Sequence, residues 1–223
     1  MKFFLYTLPL FIVGLLNAQD LNGAWVNQTE NSNILILIQD NYFTRTVYTP
    51  AEFEETIGGT YKIEDNQITV ALEFDTASED LRELNLNFEL KDDVLVIDYL
   101  KFNRLGDGNA PLAGVWRISG RMQGDKLVEI HQRGTRKTLK LLTATHFQWF
   151  AIDPGKNEFY GTGGGTYSFE NGKYTENIEF FSRDNSRVGA ALSFDDRIED
   201  DKWIHTGLSS KGDPIHEVWE KID

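Results

Sequence analysis

Phe159-Tyr-Gly-Thr-Gly-Gly-Gly-Thr-Tyr-Ser-Phe-Glu-Asn-Gly-Lys-Tyr-Thr-Glu-Asn-Ile-Glu-Phe180 is a stretch that this chain writes twice. The other copy runs from Phe53 to Phe74 as Phe-Glu-Glu-Thr-Ile-Gly-Gly-Thr-Tyr-Lys-Ile-Glu-Asp-Asn-Gln-Ile-Thr-Val-Ala-Leu-Glu-Phe. Gly58, Gly59, Thr60 and Tyr61 pair with Gly164, Gly165, Thr166 and Tyr167 at a constant offset of 106 residues, and so do Glu73 and Phe74 with Glu179 and Phe180. Such a repeat fixes the architecture before any propensity argument is made.

The duplication extends outward from that stretch. Leu21-Asn22-Gly23-Ala24-Trp25 returns as Leu112-Ala113-Gly114-Val115-Trp116, Phe43 as Phe147, and Pro50 as Pro154. Further on, Leu84, Leu86 and Phe88 are read as returning in Ala190, Leu192 and Phe194, and Asp92-Asp93 in Asp200-Asp201. The boundaries predicted are a first copy over 19–105, a linker over 106–111 rich in Gly, Asp, Asn and Pro, and a second copy over 112–223. The extra residues between Gly120 and Thr135 are expected to lengthen a hairpin of the second copy.

Within each copy the apolar period is two. Ile34 to Ile38, Ile68 to Phe74, Leu84 to Leu90 and Val94 to Tyr99 are runs of β-branched, aromatic and Leu residues. Turn signals separate them: Asp40-Asn41, Glu64-Asp65-Asn66, Lys91-Asp92-Asp93 and Glu170-Asn171-Gly172. About eight strands per copy at this spacing predict an all-β protein of two tandem antiparallel meanders, each a barrel or a two-sheet sandwich, which share this periodicity. Gly163-Gly164-Gly165 is followed by neither Lys-Ser nor Lys-Thr and opens no helix, so it reads as a β-bulge or sharp strand bend and not as a phosphate loop.

Lys2, the apolar run Phe3 to Leu16 and Ala18 describe a secretory signal peptide over 1–18, too short for a span of ~20 residues. The expected location is secreted or periplasmic. The 223-residue chain contains no cysteine, which excludes disulfides and thiolate metal sites. Its formal net charge of -13 disfavours nucleic acid and anionic membranes as partners.

The repeat supplies its own control for function. Ile68, Val70, Leu72 and Phe74 are apolar while Thr69 and Glu73 between them are polar, so the four are expected to face inward. At the same offset Tyr174, Glu176, Ile178 and Phe180 face inward, and Val70 has become Glu176. Leu95 and Ile97 correspond to Trp203 and His205, and Leu100 and Phe102 to Glu217 and Trp219. The second copy thus gathers Trp149, Tyr167, Tyr174, Glu176, Trp203, His205, Glu217 and Trp219 where the first is apolar. Polar groups inside a barrel need partners, water or a ligand. Aromatic faces beside convergent donors and acceptors suit a small amphipathic or carbohydrate-like molecule. Aromatics at alternating positions also fill ordinary cores, so a sealed interaction module is a further reading.

An enzyme is the runner-up: Glu176 as general acid or base, with burial favouring its protonated form, and His205 as its partner. Glu176, Glu217 and His205 do not carry a diagnostic metal spacing, and no metal or cofactor is assigned. Glu73 and Glu179 match in both copies on the outward face and read as structural. His131, His146 and His216 read as turn or surface residues.

Gly-x-Trp on a first strand, followed by a meander, resembles the lipocalin and calycin barrels. That resemblance implies two tandem antiparallel meander barrels and not sandwiches, each with a tryptophan closing the barrel floor and covered by a basic residue of the last strand, for which Arg104 and Lys221 stand in matching places. The second copy is similar to a group of secreted lipocalin-like domains through Thr145-His146-Phe147-Gln148-Trp149, Gly163-Gly164-Gly165-Thr166-Tyr167, Tyr174-Thr175-Glu176 and Glu217-Val218-Trp219.

Overall fold

A computed structural model describes residues 20–222 except Glu79, Leu81, Gln132 and Ser210. The expected signal peptide lies outside the described residues. Eight antiparallel strands close the first barrel: β1 (Gly23–Gln28), β2 (Asn33–Gln39), β3 (Tyr42–Tyr48), β4 (Phe53–Glu64), β5 (Gln67–Asp75), β6 (Glu83–Lys91), β7 (Val94–Ile97) and β8 (Leu100–Asp107). The second barrel contains β9 (Gly114–Gln123), β10 (Lys126–Glu129), β11 (Lys137–Leu142), β12 (His146–Asp153), β13 (Glu158–Glu170), β14 (Lys173–Phe181), β15 (Ala191–Glu199), β16 (Lys202–Leu208) and β17 (Pro214–Lys221). Pairing of β17 with β9 closes it, while β10 folds back on the far end of β9 as the lengthened hairpin. The tandem-barrel reading of the sequence is therefore what the chain forms.

The turns follow from their residues. Asp40, Asp65, Asp92, Asp93 and Asn171 all adopt positive φ, which short polar side chains tolerate. At each barrel's closed end the repeated tryptophan is held alike. Trp25 Nε1 donates to the Leu21 carbonyl and Trp116 Nε1 to that of Leu112, both at 2.9 Å. Arg104 pairs with Trp25 across β8 and β1 and lays its guanidinium 3.9 Å from the ring centroid. Lys221 pairs with Trp116 in the same register and donates to the Ala113 carbonyl, as Arg104 does to that of Asn22.

The repeated Gly-Gly does mark a β-bulge, in both copies. Gly58 faces Phe74 and Gly59 faces Leu72, leaving Glu73 as the extra residue; Gly164, Gly165 and Glu179 repeat this. The bulge corrects one expectation. Phe74 and Phe180 do not face into their barrels, because the inserted glutamate reverses the alternation after Leu72 and Ile178. Each phenylalanine ring instead lies over its glycine: a Cβ on Gly58 or Gly164 would stand 2.6 or 2.5 Å from the ring tip.

Both phenylalanines thereby reach a third core lying between the barrels. Leu35, Leu37, Tyr42 and Tyr48 of the first pack there with Leu139, Leu141, Phe150 and Ile152 of the second. Glu73 accepts hydrogen bonds from Tyr42 and, across the interface, from Lys137 Nζ at 2.6 Å. Glu179 accepts from Tyr48 of the first barrel at 2.7 Å. The two matched glutamates are structural, as their equivalence implies, and they tie one barrel to the other.

His146 is not a surface residue as expected: it is buried at the start of β12, with Nδ1 2.8 Å from the Thr145 hydroxyl. Burial pushes its pKa down from 6.5 to about 4. Below the unfolded-state value the unfolded chain binds a proton that the folded chain refuses, so stability falls between pH 6.5 and about 4 and then levels. His146→Gln is expected to flatten that limb by on the order of 3 kcal/mol in urea titrations across this range.

Candidate functional site

The interior of the first barrel is filled. Ile36, Val70, Phe88 and Ile97 belong to one buried apolar cluster with Trp25 and Phe102. The structurally equivalent positions in the second barrel are charged or polar. Lys140 sits opposite Trp116 as Ile36 sits opposite Trp25, and Glu176 pairs with Tyr167 as Val70 pairs with Tyr61. Asp196 pairs with His205 as Phe88 pairs with Ile97, and Glu217 with His205 as Leu100 with Ile97.

The replacements come as partners. Lys140 Nζ meets Glu176 at 2.8 Å, with both side chains 6 % exposed. The ammonium also lies 5.1–5.3 Å from the ring centroids of Tyr174, Trp203 and Trp219, a cage that attracts a cation by the ring quadrupoles. His205 Nδ1 lies 2.9 Å from Asp196, whose carboxylate also accepts from Trp203 Nε1 at 2.8 Å. Glu217 takes Arg121 at 2.7 Å and the indole N–H of Trp219 at 3.2 Å.

Above these groups opens a cavity of about 1020 Å³. Its mouth is ringed by connections from one end of the barrel: the β10–β11 segment with His131 and Arg136, the β14–β15 segment with Arg183 and Arg187, and the β16–β17 turn with Lys211. Of the eight residues singled out from sequence, Trp149, Glu176, His205, Glu217 and Trp219 line the cavity. Tyr174, Trp203 and Tyr167 are buried. Trp203 packs edge-on to both Tyr174 and Trp116, and Tyr167 donates its hydroxyl to the Thr143 carbonyl. Burial, and after it the Glu176 charge, holds the Tyr174 hydroxyl protonated well above its ordinary value.

Lys140, Asp196 and the mouth arginines were not singled out in sequence. Asp196 is masked in the sequence by a two-residue change in the offset between the copies. Residues of β15 align with β6 at an offset of 108, so Leu86 and Phe88 correspond to Phe194 and Asp196, not to Leu192 and Phe194. The Asp92-Asp93 and Asp200-Asp201 turns already carried that offset. Among the described residues no three His, Asp or Glu side chains gather into a metal-binding cluster. Glu176, Glu217 and His205 spend their contacts on Lys140, Arg121 and Asp196.

The second barrel is also the part that comparison with known proteins recognises. No curated protein matches the chain. The family model described as "Domain of unknown function (DUF4488)" matches residues 111–223, half of the chain and the whole of the barrel that carries the cavity, and the chain belongs to that family.

Proposed function

We propose that the protein is exported and that its second barrel binds a small organic ligand, the first serving as a structural partner. The observation that carries this reading is the internal comparison. The second barrel keeps the strand order and closing tryptophan of the first, yet replaces Ile36, Val70, Phe88 and Ile97 by Lys140, Glu176, Asp196 and His205 beside a cavity of about 1020 Å³. Charged pairs in a barrel interior contribute little to stability over apolar side chains, so their presence at one end of an open cavity supports recognition. The lipocalin resemblance agrees with such a role.

Intrinsic fluorescence tests it, since Trp149 and Trp219 line the cavity. Titration with fatty acids, uronic and neutral sugars, haem and small aromatics is expected to give a saturable quench with one class. Glu176→Gln is expected to weaken that binding by about tenfold, the loss of one charged hydrogen bond. A flat response across the panel would remove the ligand role from the cavity.

One observation favours an enzyme as the second reading. His205 lines the cavity while Asp196 sits behind it on Nδ1, the arrangement that orients an imidazole for proton transfer through its other nitrogen. Glu176 is the second acid or base within the same wall. On that reading His205→Asn keeps ligand affinity and abolishes conversion of the bound ligand. On the binding reading there is no conversion to lose.

A further inference from the structure

The cavity wall carries six Lys or Arg side chains against four carboxylates, in a chain whose net charge is -13. Three of these cations have carboxylate partners: Lys140 with Glu176, Arg121 with Glu217 and Arg187 with Asp184. Arg136 and Arg183 make no ion pair among the described residues, and both are held on one residue, Tyr160. The Arg136 guanidinium lies 4.2 Å from the Tyr160 ring centroid. Arg183 Nε donates to the Tyr160 carbonyl at 2.6 Å and its guanidinium stands 5.7 Å from the Trp149 ring. Of the carboxylates nearby, Glu158 accepts the Tyr160 hydroxyl, Asp153 pairs with Lys156 and Asp184 pairs with Arg187.

The first barrel shows what a self-satisfied wall looks like at the same place. There Arg45 meets Glu55 at 3.0 Å, across β3 and β4. In the second barrel Arg45 has become Trp149, opposite Gly163 as Arg45 is opposite Ile57. Glu55, two residues before Ile57, corresponds to Gly161, two before Gly163. Gly161 has φ +145°, and a Cβ there would stand 2.3 Å from Arg183 Nε, so the glycine makes room for the arginine. The carboxylate is gone, two arginines have arrived and a tryptophan face has opened beside them. His131, at the same mouth, has its pKa lowered by burial and then by Arg136, Arg117 and Arg121, which reports the positive field there.

Resting on the binding reading above, we propose that the ligand is an organic anion. Its apolar or aromatic body lies in the barrel against Trp149 and Trp219, and its carboxylate, sulfate or phosphate head is received at the mouth by Arg136 and Arg183. Paired guanidiniums suit a planar or tetrahedral oxyanion because their N–H groups donate in a fixed fork. The missing counter-charge of the wall is then supplied by the ligand.

Two probes of similar shape and different charge separate the outcomes: anilinonaphthalene sulfonate and neutral N-phenylnaphthylamine, titrated calorimetrically into the mature protein. The sulfonate is expected to bind one per chain, at least about tenfold more tightly than the neutral probe, with affinity that falls as salt is added. Arg136→Gln combined with Arg183→Gln is expected to weaken the sulfonate by about tenfold to a hundredfold, with neutral-probe affinity and melting temperature unchanged. Equal affinity for the two probes, or a double variant that binds the sulfonate like the parent or loses both probes alike, overturns the anion inference and leaves the cavity reading in place. Saturation by neither probe overturns both.

Discussion

Lys140→Met alone is expected to lower the stability of the protein by about 3–5 kcal/mol, because it leaves the Glu176 carboxylate buried without its counter-charge. Glu176→Val alone strands the ammonium inside its ring cage, with a cost of the same order. The chain contains its own control for what the pair contributes, since the first barrel folds with Ile36 and Val70 at these positions. Lys140→Ile combined with Glu176→Val copies that apolar pair. The double variant is expected to match or exceed the parent in urea unfolding, so that nearly the whole sum of the two single costs appears as coupling between the sites. The same variant should lose ligand affinity, since the charges that orient a guest are gone. A double variant that is as unstable as the two singles added together would mean that the pair is a structural requirement of the second barrel, and the functional weight placed on it would go.

Glu176 was legible and Lys140 was not, and the reason is physical. A period of two reports one buried face, and β11 has two. Leu139 and Leu141 are the apolar side of Lys137-Thr-Leu-Lys-Leu-Leu, so alternation assigns Lys140 to solvent. In the structure Leu139 and Leu141 face the other barrel, and Lys140 faces its own barrel's interior. The internal comparison exposed Glu176 because it does not depend on alternation. It would have exposed Lys140 too, had the offset of 104 carried by Phe43 and Phe147 been applied to Ile36. His205 and Glu217 were found in the same way, and their pairing in β16 and β17 reproduces that of Ile97 and Leu100. The mouth cations come from three separate connections, and no local pattern announces that chain closure brings such segments to one rim.

Gly165→Ala is expected to cost about 4 kcal/mol and to leave the second barrel unfolded or insoluble at growth temperature, while Gly163→Ala costs about 1 kcal/mol. The two glycines are neighbours in one run, and their surroundings set them apart. Gly165 has φ +152°, which L side chains rarely adopt, and a Cβ there would lie 2.1 Å from the Asn177 carbonyl oxygen. That oxygen belongs to the sheet, so the strand cannot yield without breaking the β13–β14 ladder. At Gly163 the nearest atoms are ring atoms of Phe181 and Trp149, each 2.8 Å away, and both side chains border the cavity and can turn into it. Circular dichroism and urea unfolding of the two variants measure the contrast. The consequence reaches beyond one turn, because the bulge at Gly165 inserts Glu179 and so aims Phe180 at the interface between the barrels. Without it, the alternation would carry Phe180 into the cavity and Phe181 out of it. Comparable costs at Gly163 and Gly165 would show that the bulge is not what sets the facing of β14 beyond Ile178, and the placing of Phe180 between the barrels would need another basis.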